Sequence, residues 1–68
     1  MISRELKILI VEDTQAARAV IRNILRDDGF KDIHEVIDGL EAWKEIHAAS
    51  KQGKPYELLL VDWNMPNL

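Results

Sequence analysis

Two short apolar runs, each stopped by acid, constrain this chain more than any other feature. Leu6-Lys7-Ile8-Leu9-Ile10-Val11 ends at Glu12-Asp13, and Leu58-Leu59-Leu60-Val61 ends at Asp62. Runs this short read as strands, and unbroken apolar residues in Leu58–Val61 read as a strand buried on both faces. One Asp at a strand end is an ordinary turn residue. Acids at the ends of two strands are a stronger signal, because parallel neighbours would bring all of them to one edge, where open α/β sheets place their chemistry. Carboxylates so gathered repel, so the site calls for a cation or for raised pKa values. Oxygen donors on a rigid sheet edge favour a hard divalent ion, Mg²⁺ first. Pro66 lacks an N–H and keeps Met65 out of helical geometry, which makes the stretch after Asp62 a shaped loop.

The residues between the runs carry a helical period. From Gln15 to Asp28, Ala17, Val20, Ile21, Ile24 and Leu25 form one apolar face. Thr14 or Asp13 can cap its start, Gly29 ends it, and Phe30 can fold back on the stop. Arg18, Arg22 and Arg26 repeat every four residues and read as a solvated side. Ile33–Ile37 is short and β-branched, an edge strand on which His34 reads as a surface residue rather than a ligand. Asp38 caps a second helix, whose buried face is Leu40, Trp43 and Ile46 with Ala42 and Ala49 beside them. Trp43 is thereby read as core. Ala48 to Pro55, with Gly53 and Pro55, reads as a connecting loop.

The order is βαβαβ. Right-handed crossovers put the second strand on one side of the first and the third on the other, with the helices on opposite faces. The expected class is α/β, with a parallel three-stranded sheet of order 2-1-3. Its switch point lies between strands one and three, where Glu12, Asp13 and Asp62 meet.

Composition excludes more than it selects. No cysteine is present among the 68 residues, so neither a disulfide staple nor a thiolate metal site is available. A net charge of −3 gives no basic footprint for nucleic acid. The apolar runs are far short of the ~20 residues of a membrane span, and Met1 to Glu5 lacks the pattern of a signal peptide. A cytoplasmic protein is the expectation.

A hydrophobic strand ending in an acidic pair, followed later by Asp62-Trp63-Asn64-Met65-Pro66-Asn67, resembles the CheY-like receiver domain of two-component response regulators. The resemblance runs from Lys7 to Leu68 and implies a flavodoxin-like fold, truncated here to its first half. It implies that Asp62 is the phosphoacceptor, taking a phosphoryl group from a phosphohistidine on a histidine kinase, as in chemotaxis pathways, rather than acting as an enzyme. It further implies Mg²⁺ held directly by Asp13 and Asp62, through water by Glu12, and by the Asn64 backbone carbonyl. Trp63 would flank the site. Glu12 departs from the Asp usual at its position and reaches one methylene further. A hydroxyl residue, a lysine and an aromatic switch of the family have no counterpart in these residues. The chain alone is therefore expected to bind Mg²⁺ weakly and not to signal.

Two other readings compete. Haloacid-dehalogenase-type phosphatases also use an aspartate nucleophile with Mg²⁺ at a strand end. They place an acid two residues later, where this chain has Asn64, which cannot shuttle a proton. Alternatively the chain is a self-assembling structural half-domain with no signalling role. On either reading the outer edge of Leu58–Val61 is expected to pair with a second copy.

Overall fold

The computed structural model describes residues 3–62. The elements run β1 (Ile8–Val11), α1 (Gln15–Asp27), β2 (Ile33–Val36), α2 (Gly39–Lys51) and β3 (Leu58–Val61). The sheet is parallel, in the order β2-β1-β3. Its register pairs Val11 with Val36 on one side and with Val61 on the other. This is the α/β class and strand order expected, the topology of the first half of a flavodoxin-like, CheY-like fold.

β1 is the centre because, among the described strands, it alone is bonded on both edges and covered on both faces. Ile8, Leu9, Ile10 and Val11 are all fully buried, which is why this run carries no polar residue. Alternation sends Leu9 and Val11 to one face, where they pack with Val36 and Ala42 and against Ile46 and Tyr56. That is the side of α2. Ile8 and Ile10 take the opposite face, toward α1. The Tyr56 hydroxyl donates to Glu45 Oε1 at 2.8 Å, and burial together with that carboxylate pushes the phenol up from its ordinary range.

Both helices are closed by glycine in the left-handed region. Gly29 has φ 98° and Gly53 φ 75°. Behind each, paired bonds satisfy the last carbonyls: Gly29 N–H to Arg26 O and Phe30 N–H to Leu25 O, then Gly53 N–H to Ser50 O and Lys54 N–H to Ala49 O. Phe30 is buried, as its fold-back role requires. At the other end of α2, Asp38 Oδ1 accepts from Glu41 N–H at 2.8 Å, and Glu41 Oε1 accepts from Ile37 N–H at 3.0 Å.

Several expectations are corrected. α2 continues through Ala48 to Lys51, so the connecting loop is shorter than Ala48 to Pro55: small residues do not break a helix, and the glycine at 53 is the stop. Trp43 is not core. It is 64% exposed, stacked on His47 with centroids 5.1 Å apart, while Ala42 and Ala49 face inward. Leu40 is exposed as well, and on α1 so are Val20 and Ile24. The apolar arcs of both helices are wider than the strip of sheet the described residues offer them. For the same reason β3 is largely exposed rather than buried on both faces: among the described residues, no strand pairs with its outer edge. Four apolar residues in a row report what a strand can bury, not how many neighbours it has.

The arginine stripe is corrected too. Arg22 Nη1 meets Glu35 Oε2 at 3.0 Å, and Arg18 Nε lies 3.6 Å from Glu35 Oε1. Two of the three guanidiniums therefore lie against β2, and Arg26 is the exposed one. Thr14 is the N-cap residue of α1, yet its side chain makes no capping bond.

Candidate functional site

Two backbone bonds decide where the acids lie. Glu12 N–H donates to Val36 O of β2 at 3.1 Å, and Asp62 N–H donates to Val11 O of β1 at 3.0 Å. Each extends a ladder by one residue beyond the strand. In a parallel sheet such continuation carries both side chains to the same, carboxyl end. One oxygen each from Glu12, Asp13 and Asp62 lie within 4.8 Å of one another.

The three environments differ. Glu12 is 7% exposed, Asp62 is half-buried and Asp13 faces solvent. Burial pushes the Glu12 carboxyl above the ordinary carboxylate range, and the hydrogen bond and charge of Asp62 push the same way. A hydrogen bond from Thr14 N–H to Glu12 Oε1, at 3.2 Å, pulls it back. The Thr14 hydroxyl donates to Asp13 Oδ1 at 3.3 Å. Thr14 thus serves the acidic pair with the group expected to cap α1.

All three donors are oxygens, the set a hard divalent cation prefers, and among the described residues neither nitrogen nor sulfur joins the cluster. Gathered carboxylates gain most from such an ion, since it relieves their mutual repulsion. The residues fit the ion the resemblance implies. The fourth ligand expected, the Asn64 carbonyl, lies outside the described residues, as do Trp63 and the loop at Met65-Pro66.

The chain matches the response regulator receiver domain over residues 8–68. It belongs to that family. Curated relatives agree. Chemotaxis protein CheY of Pseudomonas aeruginosa is 40% identical over 63 residues, covering 93% of this chain and 47% of its own. Chemotaxis protein CheY-3 of Vibrio cholerae is 37% identical over 68 residues, covering 100% of this chain and 48% of its own. The chain spans about half the length of the curated relatives it matches.

Within this receiver, the other sequence candidate stands apart from the acids. His34 lies beside a cavity of about 600 Å³ at the opposite end of the sheet, with Lys7, Asp32 and Glu57 also on its wall. Its Nε2 is 2.7 Å from Asp32 Oδ1 and its ring stands edge-on to Tyr56. This is a surface pair, in keeping with the reading of His34. No helix among the described residues is long and apolar enough to cross a membrane. Sequence reasoning missed the hydrogen bond from Arg18 Nη1 to Glu12 O, at 2.7 Å. The signal was present as an arginine one helical turn into α1, but a four-residue repeat of arginines looks the same whether it is solvated or docked.

Proposed function

We propose that this receiver accepts a phosphoryl group on Asp62 from the phosphohistidine of a histidine kinase, in a two-component pathway of the chemotaxis type. The observation that carries this is the convergence of Glu12, Asp13 and Asp62 at one end of β1 and β3. An Asp62 carboxylate oxygen attacks phosphorus, the phosphorus–nitrogen bond breaks, and an acyl phosphate forms as the imidazole leaves. Glu12, Asp13 and Asp62, with the Asn64 carbonyl, would hold Mg²⁺. When bound, the ion neutralises the anionic oxygens and helps align them for in-line transfer. The β1–β3 register keeps Asp62 beside the acidic pair, and the α1 turn holds Glu12 through Thr14. The donor two residues after Asp62 is Asn64, which lacks the proton-transfer capacity of a phosphatase acid, so the acceptor reading is favoured over hydrolysis.

The test is a Mg²⁺ titration read by the fluorescence of Trp63, the residue after Asp62 in sequence. A saturable change is expected, and Asp13→Ala should remove it. Trp43, exposed on α2, supplies a constant background. No response at tens of millimolar Mg²⁺ would reject the metal-holding role.

A second copy of the chain is the partner we propose for the outer edge of β3. Leu58, Leu59 and Val61 are exposed there, and an open strand with apolar side chains is a template for pairing. The symmetric arrangement is a two-fold axis at β3, giving the order 2-1-3-3′-1′-2′. Leu58 and Asp62 donate their N–H groups to β1, so the two-residue period aims those of Leu59 and Val61 outward. Leu59→Pro would remove an outward donor without deleting a bond to β1. Sedimentation should show a dimer that this substitution converts to monomer. A compact monomer of the parent chain at micromolar concentration would exclude the pairing.

A further inference from the structure

We infer that Arg18 is a positioning residue for the acidic cluster, fixing the Glu12–Asp13 peptide so that the carboxylates converge. The inference rests on the metal-holding role proposed above. The Glu12 carbonyl is the first beyond β1 and precedes α1, so among the described residues neither the strand ladder nor the helix claims it. A backbone acceptor beside a buried residue needs a donor. Arg18 Nη1 provides it at 2.7 Å.

The guanidinium is itself held. Its side chain is only 16% exposed, and its Nε lies 3.6 Å from Glu35 Oε1. Arg22 Nη1 binds the other oxygen of Glu35 at 3.0 Å. The peptide units on both sides of Glu12 are thus tied: the N–H to Val36 O at 3.1 Å, the carbonyl to Arg18. The Glu12 carbonyl belongs to the same planar peptide as Asp13 N–H. Fixing that carbonyl fixes the direction in which Asp13 leaves the strand, and with it the position of the Asp13 carboxylate. A planar fork can face the carbonyl and Glu35 together; the single ammonium of lysine cannot hold both in that geometry.

Three roles for Arg18 give different outcomes. A charge acting alone repels a divalent cation, so its loss would tighten Mg²⁺ binding. A purely structural side chain would lower the melting temperature and leave the affinity of the folded fraction unchanged. A positioning residue weakens binding on removal, by about tenfold for a group that orients a metal ligand.

The experiment measures Mg²⁺ affinity calorimetrically in the full chain, below the melting transition, for the parent, Arg18→Met, Arg18→Lys and Glu35→Gln. Arg18→Met should weaken binding about tenfold, Arg18→Lys should fail to restore it, and Glu35→Gln should show a smaller loss. Unchanged or tighter binding in Arg18→Met, or full affinity in Arg18→Lys, overturns the inference. Should Arg18→Met not fold, the lysine and Glu35 variants carry the same comparison. A metal-free readout separates this from the metal-holding role: the Asp13 amide and carboxyl carbon resonances should move in Arg18→Lys and stay put in Arg26→Met. Unmoved Asp13 resonances overturn the positioning role whether or not Mg²⁺ binds. Parent-like Mg²⁺ binding by Asp13→Ala rejects the metal-holding role instead.

Discussion

In a receiver that joins these residues to the remaining half of the family's fold, replacing Asp62 with Ala is expected to abolish phosphorylation by a small acyl phosphate donor in the presence of Mg²⁺. The reason is chemical as well as positional. Of the three clustered acids, Glu12 is buried and hydrogen-bonded both to Thr14 N–H and to Asp62, and Asp13 receives the Thr14 hydroxyl. Asp62 is the acid that closes β3 from across the β1–β3 seam, where it faces the acidic pair rather than belonging to it. On the proposed reading the acidic pair would hold the cation and Asp62, on the neighbouring strand, would attack, so that nucleophile and charge stabilisation stand side by side. Asp62→Asn keeps the shape and removes the nucleophilic oxygen, and it should be as inactive as the alanine variant. Glu12→Gln should retain labelling at a reduced rate, because it weakens charge stabilisation without removing the nucleophile. The label is read as a hydroxylamine-labile acyl phosphate by intact mass before and after treatment. Parent-level label on Asp62→Asn would move the acceptor to another residue.

What could be read from the sequence depended on whether a residue's fate is set by its own segment. β1 was legible because Ile8–Val11 has no polar residue to expose, and the stop of α1 was legible because Gly29 brings the conformation with it, whereas the end of α2 was read too early, at Ala48 rather than Lys51 before Gly53. The order β2-β1-β3 followed from crossover handedness, and the meeting of Glu12, Asp13 and Asp62 followed from that order. Exposure was not legible for β3, Trp43, Val20 or Ile24. An apolar pattern states which face a segment can bury, whereas burial needs a partner whose extent the segment does not encode. The docking of Arg18 and Arg22 on Glu35 was hidden for a similar reason: the salt bridges join α1 to β2, and their spacing within α1 alone is that of any solvated stripe.

The second large effect concerns stability, and it uses the same distinction. Leu9→Ala should destabilise the fold by about 2–5 kcal/mol, since Leu9 is fully buried among Val11, Val36 and Ala42 and deleting its branch leaves a cavity. Small domains hold roughly 0.05–0.15 kcal/mol per residue, so this loss takes a large share of what a chain of 68 residues has. With a urea dependence of about 1 kcal/mol/M for a chain of this size, the midpoint should fall by about 2 M or more, or the variant should not fold. Trp43→Ala removes a larger side chain, but one that is 64% exposed and touches the α2 surface through His47. It should shift stability by no more than about 0.5 kcal/mol, as surface substitutions do. Urea titrations followed by far-ultraviolet circular dichroism compare the two directly. A Trp43→Ala loss as large as that of Leu9→Ala would mean that Trp43 is buried in solution, against a second copy or another part of the protein. Sedimentation of the same samples would tell those apart, because only self-association would make the cost depend on protein concentration.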